Sequence, residues 1–396
     1  MDFLNFLNRA KKSQTFDNLV AAAEKILSKE LGSSIQLTQV ERLSKKGRRN
    51  LLLRCHILSE RGLPSSLIIK KVEADPYEPE EPNSWDTMRF FRDWMGSQFL
   101  TTIPSQFNHS PRFYGGDRQL GFIILEDVKH RSSLVEPMLG KERSLAEEVL
   151  LKYATCLGQL HADTMGKAAE FEELFRTISP VMKSARLNAD INKLRSTLNN
   201  LDIHLETNCW QDLEAITDTV ARPDAFLAYI HADPCPDNVL YTGEILRLID
   251  FETGHFGHAL IDATYARMMF PSCWCANRLP HKVVQQMENA YRSILSQHCS
   301  AAENDRVFEA ALVNICGFWL LNTLMHLEYA LGKDPDWGIS TIRQRILARL
   351  EAFITTSEEF ERLPGLHSTS SQLLVLLRER WSDISPMPFY PAFQGE

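Results

Sequence analysis

An apolar lead-in, Tyr229-Ile230, runs into His231-Ala232-Asp233-Pro234-Cys235-Pro236-Asp237-Asn238, and a second short run, Leu248-Ile249, ends in Asp250-Phe251-Glu252. These two segments constrain the chain more than any other stretch. Pro234 and Pro236 lack an N–H and restrict the residue before them, which forbids a helix between Asp233 and Asn238. The segment reads instead as a fixed loop with polar side chains aimed at one point. Tyr241-Thr242-Gly243-Glu244 reads as a turn, and Ile245–Ile249 as a strand that delivers Asp250 to its end. One acid that accepts a hydroxyl proton (Asp233), with an Asn (Asn238) and a second acid (Asp250) that hold Mg²⁺ through oxygen, is the set that phosphoryl transfer uses.

The spacing H-x-D-x-x-x-x-N, with an Asp twelve residues beyond the Asn, resembles the signature of the aminoglycoside phosphotransferase and choline kinase superfamily. These are small-molecule relatives of the protein kinases. Ile249-Asp250-Phe251-Glu252 is similar to the superfamily's second motif, I-D-[FW]-E; protein kinases have D-F-G there, so Glu252 replaces the Gly. The resemblance implies an α+β, protein-kinase-like two-lobe fold, with a small antiparallel-sheet N-lobe and a large, mostly helical C-lobe. It implies ATP as donor, with GTP as the alternative, Mg²⁺ as cofactor, and a small-molecule acceptor such as an antibiotic, an amino alcohol or a sugar. On this reading Asp233 is the catalytic acid–base, Asn238 and Asp250 are metal ligands, and His231 braces the loop. Asp262, in a segment that resembles the family's D-L-A element, anchors that loop. Glu252 is left open between a place near the metal or acceptor and a cap on its turn.

The period of the apolar residues divides the rest. Residues 1–30 read as two short amphipathic helices, the second through Leu19, Ala22, Ala23, Ile26 and Leu27 at 3.6-residue spacing. This leader is expected to pack on the first lobe, with a membrane-surface role for Phe3, Leu4, Phe6 and Leu7 as the alternative. Residues 31–128 form the N-lobe. Ile35–Val40, Leu51–Leu58 and Leu67–Val72 alternate as half-buried strands do. The basic turn Ser44–Asn50 resembles the family's phosphate-covering hairpin, with Asn50 in the place of the Asn of G-x-x-N-x-x-[YF]. Period-two geometry puts Ile68 and Lys70 on one face, so Lys70 rather than Lys71 is the expected phosphate-binding lysine. Trp85–Leu100 reads as a helix carrying Asp93 where the family has Glu; Asp93 is the expected partner of Lys70, and Glu81 the alternative. Pro111–Gly116 reads as a turn and Leu120–Val128 as a strand that resembles the family's last small-lobe strand entering the interlobe hinge, where the resemblance implies that the backbone of Glu126 and Val128 meets adenine.

Residues 129–396 form the C-lobe. Its expected helices are Leu145–Asp163, Ala168–Phe175, Pro180–Leu201, Cys209–Val220 and roughly 259–270, 281–298, 303–331, 338–355 and 369–381, before an irregular tail from Pro386. His161-Ala162-Asp163 imitates H-x-D but continues a helix, and is structural. The insert 167–225 is where acceptor pockets of this superfamily are often built.

Composition narrows the function. A net charge of −8 and a pI of about 5.9 argue against a nucleic-acid partner and permit a cationic acceptor. The eight cysteines show no short-range framework, so reduced thiols and a cytoplasmic location are expected. Cys273-x-Cys275, near His255, His258 and His281, matches no common zinc spacing. No signal-peptide core is apparent at the N-terminus. No apolar run approaches the roughly 20 residues of a membrane span, so integral membrane association is not expected. Two readings of other classes remain: a nucleotide-binding pseudokinase or scaffold, prompted by Asp93 and the single hairpin glycine, and a metallohydrolase built from His231, Asp233, Asp250, His255 and His258. The sequence does not give the oligomeric state.

Overall fold

The computed structural model describes residues 2–394 except 59–62, 75–76, 82–83, 130 and 179–189, with side chains described from Phe16 onward. Two compact units divide the chain: the first holds residues up to Arg131, a segment opening at Glu170, and Arg247–Thr253; the second holds the remainder.

The first unit opens with α1 (Asp2–Leu31), one continuous helix where two short ones were expected. Then come β1 (Gln36–Arg42), β2 (Asn50–Leu58), β3 (Ser66–Val72), α2 (Trp85–Thr102), β4 (Phe113–Asp117) and β5 (Phe122–Glu126). The strands form one antiparallel sheet in the order β1-β2-β3-β5-β4. Strict alternation along β2 buries Leu51, Leu53, Cys55 and Ile57 on one face, and Leu19, Ala23 and Leu27 of α1 pack against them. Each of the leucines and Ile57 contributes about 1.5–3 kcal/mol on burial. The expected packing of the leader on this sheet is therefore present. Pro111–Gly116, expected as a turn, instead contributes to β4. A bulge between Phe113 and Gly115 admits the strand, and Gly115 (φ 141°) lies where a Cβ would come within 2.5 Å of Ile26. The register pairs Leu52 with Lys70 and Arg54 with Ile68, which puts Lys70 on the face opposite the α1-covered core. Ser84 caps α2, its hydroxyl accepting from the Thr87 N–H.

Along the rest of the chain come β6 (Ser132–Ser133), α3 (Val135–Leu139), α4 (Arg143–Thr164), α5 (Ala168–Ile178), α6 (Ile191–Asn199), α7 (Thr207–Ala221), β7 (Leu227–Ile230), β8 (Val239–Tyr241) and β9 (Leu246–Leu248). They are followed by β10 (His255–His258), α8 (Leu260–Ala263), α9 (His281–Leu295), α10 (Ser300–Glu303), α11 (Asp305–Leu324), α12 (Leu327–Gly332), β11 (Asp336–Trp337), β12 (Ser340–Thr341), α13 (Ile342–Phe360) and α14 (Pro364–Arg380). A mainly helical second part after an antiparallel sheet is the architecture expected from the switch in period. Several boundaries differ. The helix expected over 259–270 is only the four-residue α8, and at its expected far end Met269 and Phe270 take left-handed φ of 56° and 47°, which no helix continues through. The helix expected over 303–331 is broken into α10, α11 and α12. Part of the expected helix Pro180–Leu201 lies outside the described residues; its end is α6, capped by Asp190.

Contrary to expectation, α11 is by length and composition apolar enough to cross a membrane, with a mean hydropathy of 1.5 over its window. That window is 72% buried inside the protein, and α11 packs between α7 and α13. It is a core helix of the second unit.

Candidate active site

In the first unit β3 presents Lys70 to two carboxylates. Its Nζ lies 2.7 Å from Asp93 Oδ2, contacts Asp250 Oδ1, and stands 3.8 Å from Glu252 Oε1. The shorter Asp side chain is no obstacle: α2 lies close enough for direct contact, and Asp93 Oδ1 also takes the Phe251 N–H at 2.9 Å. Lys71 points elsewhere, donating to the Leu120 carbonyl at 2.8 Å. Burial disfavours the Lys70 ammonium, but Asp250 and Asp93 outweigh that and hold its pKa above the ordinary value. Burial pushes Asp93 up; the Lys70 ammonium offsets this only in part, and the neighbouring negative charge of Asp250 adds to the rise. Two carboxylates share one ammonium here.

Glu252, 5% exposed, organises a second ring of contacts. It accepts from Asn50 Nδ2 at 2.6 Å, from Arg49 at 3.2 Å, and from Arg89 of α2. The Asn50 amide and the basic hairpin are thereby fastened to the turn that carries Asp250. Arg49 and Arg89 were not singled out in the sequence. Spacing along α2 gave no signal for Arg89, which stands one helical turn before Asp93.

Glu126 and Val128 stand where β5 ends. The Glu126 N–H donates to the Arg112 carbonyl at 2.8 Å, and the Val128 carbonyl accepts from Arg131. Between them Asp127 receives Arg54 at 2.8 Å, Ser66 at 2.7 Å and Arg131 at 2.9 Å. Burial alone would raise the Asp127 pKa; these three donors outweigh it and hold the carboxyl below its usual range. Asp127 thus fixes the exit of β5 to β2 and β3.

In the second unit β7 pairs with β10 and feeds the loop 231–238. Asp262, fully buried, takes the His231 N–H at 2.7 Å on one oxygen and the Ala232 N–H at 2.9 Å on the other. His161, also fully buried, stands behind Asp262 at 3.3 Å and meets the Tyr291 hydroxyl at 2.8 Å. His231 is buried and joins the Asp262 anchor through its backbone. Ala232 is held at a φ of 60°, and Asp250 in the first unit at 70°. Left-handed backbone at non-glycine residues costs about 1–3 kcal/mol and concentrates at working sites.

Asp233 Oδ1 accepts from the Ser272 hydroxyl and, at 3.3 Å, from the Tyr265 hydroxyl. Its backbone carbonyl takes Asn238 Nδ2 at 3.0 Å and the Cys235 N–H at 2.7 Å. Cys235 is joined to Cys273 in a disulfide, with Cα atoms 5.5 Å apart. This overturns the expectation of reduced thiols at these two positions: thirty-eight residues separate them, too far for a spacing pattern to reveal, but the fold brings the loop and the chain after α8 together. The other six cysteines, all among the described residues, form no disulfide. Beyond the disulfide, Trp274 Nε1 donates to Asp237 at 2.8 Å.

Asn238 in the second unit and Asp250 in the first each carry an oxygen of the kind Mg²⁺ binds. The amide nitrogen of Asn238 is committed to the loop, so oxygen is its donor for a metal, and Asp250, with a side chain 35% exposed, is a second oxygen donor. A small, hard cation takes few protein oxygens and keeps waters and phosphate oxygens for the rest.

The sequence model of a phosphotransferase enzyme family matches residues 87–291. No curated protein sequence matches the chain. Among solved structures, a choline/ethanolamine kinase family protein from Mesorhizobium loti is 16% identical, with 84% of this chain and 93% of that one covered and a TM-score of 0.44. The choline kinase of Cryptosporidium parvum is 13% identical, with 90% and 99% covered and a TM-score of 0.47. APH(2")-IIa in ternary complex with streptomycin and ATP is 15% identical, with 83% and 96% covered and a TM-score of 0.44. Likeness at this level carries no weight for the assignment, which rests on the sequence match. With more than half of its 396 residues inside that match, the chain belongs to the phosphotransferase enzyme family.

Proposed function

We propose that the protein is an ATP- and Mg²⁺-dependent kinase that moves the γ-phosphoryl group of ATP to a hydroxyl of a small molecule, an antibiotic, an amino alcohol or a sugar. The observation that carries this reading is the grip of Asp93 and Asp250 on the buried ammonium of Lys70. A lysine held charged in this way meets the α- and β-phosphates of a nucleotide, and the acid from the helix keeps it aimed. Asn238 and Asp250 are the residues that would hold Mg²⁺, which neutralises phosphate charge when bound. Asp233 takes the acceptor's proton as the phosphoryl group arrives. A carboxylate is a weak base, so most of the acceleration comes from orienting the hydroxyl and neutralising charge.

The pseudokinase reading drew on the short side chain of Asp93 and the single hairpin glycine; the 2.7 Å contact with Lys70 speaks against the first of these. The metallohydrolase reading needs histidines able to bind a metal. His258, 2% exposed, instead accepts the Leu260 N–H on Nδ1, and among the described residues no group of three or more His, Cys, Asp or Glu is arranged to hold an ion. The test is ADP release from MgATP, with MgGTP in parallel, across aminoglycosides, amino alcohols and sugars. One acceptor class is expected to accelerate release far above the acceptor-free rate. Failure of every class, together with no measurable MgATP binding, would refute the reading.

A further inference from the structure

We propose that Ser272, with Tyr265 behind it, is the positioning residue that aims the Asp233 carboxylate at the acceptor hydroxyl; this inference rests on Asp233 being the base. Three hydroxyl-to-oxygen contacts define the arrangement. Ser272 Oγ meets Asp233 Oδ1, Tyr265 OH meets Ser272 Oγ at 2.7 Å, and Tyr265 OH stands 3.3 Å from the same Asp233 oxygen. The direction of the chain follows from proton counting. An ionised carboxylate only accepts, so the Ser272 proton goes to Asp233. Tyr265 is fully buried, and burial pushes its phenol pKa well above the ordinary value. It therefore remains a donor, and its shortest contact is Ser272. The result is a relay, Tyr265 to Ser272 to Asp233, in which each bond polarises the next.

The segment bearing Ser272 is held more firmly than an exposed serine requires. Met269 and Phe270, just before it, sit in left-handed backbone, which nothing about an exposed hydroxyl demands. The side chain of Arg349 donates to the carbonyls of Met268 at 3.1 Å and Pro271 at 2.9 Å. Arg345 donates to the Cys273 carbonyl at 2.8 Å. Both arginines are 1% exposed. On the far side of Ser272, the Cys273–Cys235 disulfide ties the next residue to the loop two positions beyond Asp233. A water molecule could satisfy an exposed serine without any of this. The construction fixes Ser272 relative to one carboxylate oxygen, and so fixes the plane of the carboxylate and the direction in which its second oxygen accepts. A hydrogen bond donated to a carboxylate also favours its ionised form, the form a base needs.

The experiment uses the full chain and MgATP, with water as acceptor. Phosphate release is followed from pH 5 to 9 for the native protein and for Ser272→Ala, Ser272→Thr, Tyr265→Phe and Asp233→Asn. Ser272→Ala is expected to lower kcat about tenfold, since a misaimed base loses part of its contribution, and to leave the KM for MgATP unchanged. Its acid limb should move to higher pH, which a merely structural role would not cause. Ser272→Thr, which keeps the hydroxyl, should restore most of the rate, and Tyr265→Phe should fall between. Should Ser272→Ala fail to fold, the last two variants carry the same comparison. Native kcat and an unmoved pH profile in Ser272→Ala, beside an inactive Asp233→Asn, would overturn the positioning role and leave the base standing. An Asp233→Asn protein as active as the native would remove both.

Discussion

Lys70 has one positive charge and two carboxylates in contact with it, so its neighbours are sensitive to its loss. With side-chain exposures of 13% for Lys70 and 4% for Asp93, the pair is not the solvent-accessible bridge that a nucleotide cleft would suggest. Lys70→Ala leaves Asp93 buried beside Asp250 without their cation, and should cost on the order of 3 kcal/mol of stability besides raising the KM for ATP and lowering kcat. Asp93→Ala leaves Lys70 with Asp250 and should cost less. A double-mutant cycle in kcat/KM checks the coupling; additive effects would show that Asp93 does not orient Lys70. His258 supports a different expectation. Burial, aided by the nearby His161, lowers its pKa from 6.5 to about 3. Between these values the unfolded chain binds a proton that the folded one does not, so stability falls as pH drops from 6.5 towards 3, by about 1.4 kcal/mol per pH unit. His258→Asn keeps an acceptor for the Leu260 N–H and should flatten the acid side of a Tm-against-pH curve. A slope equal to that of the native protein would mean that other groups govern it.

Two turns decide the chemistry among the elements. The turn after β9 carries Asp250, and Glu252 fastens it to the β1–β2 hairpin through Asn50 and Arg49 and to α2 through Arg89. The loop after β7 carries Asp233 and is anchored by Asp262 of α8 and by the disulfide to Cys273. Closing a loop of this length stabilises by about 4 kcal/mol on the chain-entropy account. Reductant should therefore lower the Tm of the native protein, and Cys273→Ser should start from that lower Tm and show no response to reductant. An unchanged native Tm under reducing conditions would mean that the bridge adds no stability. What the sequence revealed of these turns follows from locality. His231, Asp233, Asn238 and Asp250 share one short, proline-fixed stretch and the strand after it, so their spacing is visible. Lys70 could be chosen over Lys71 because a strand has period two. Tyr265, Ser272, Arg49 and Arg89 reach the same groups only through tertiary folding, and no period or spacing marks them. The expected helix over 259–270 hid Ser272 by placing Met269 and Phe270 in a regular backbone they do not adopt.

Across the molecule, the change from a two-residue to a 3.6-residue apolar period correctly separated a sheet-built part from a helical one. It failed where helices are joined by very short breaks, as between α11 and α12, because an apolar stripe continues through a kink. A helix was expected where α11 lies; its high apolar content, not expected from the sequence, goes with its burial between α7 and α13. The central claim is that Asp250 serves the nucleotide's metal and Asp233 serves the acceptor. Calorimetric titration of ATP, with and without Mg²⁺, into the native protein, Asp250→Asn and Asp233→Asn tests it most directly. The predicted result is Mg²⁺-dependent binding that Asp233→Asn retains and Asp250→Asn loses. Native-like, Mg²⁺-dependent binding by Asp250→Asn would contradict it.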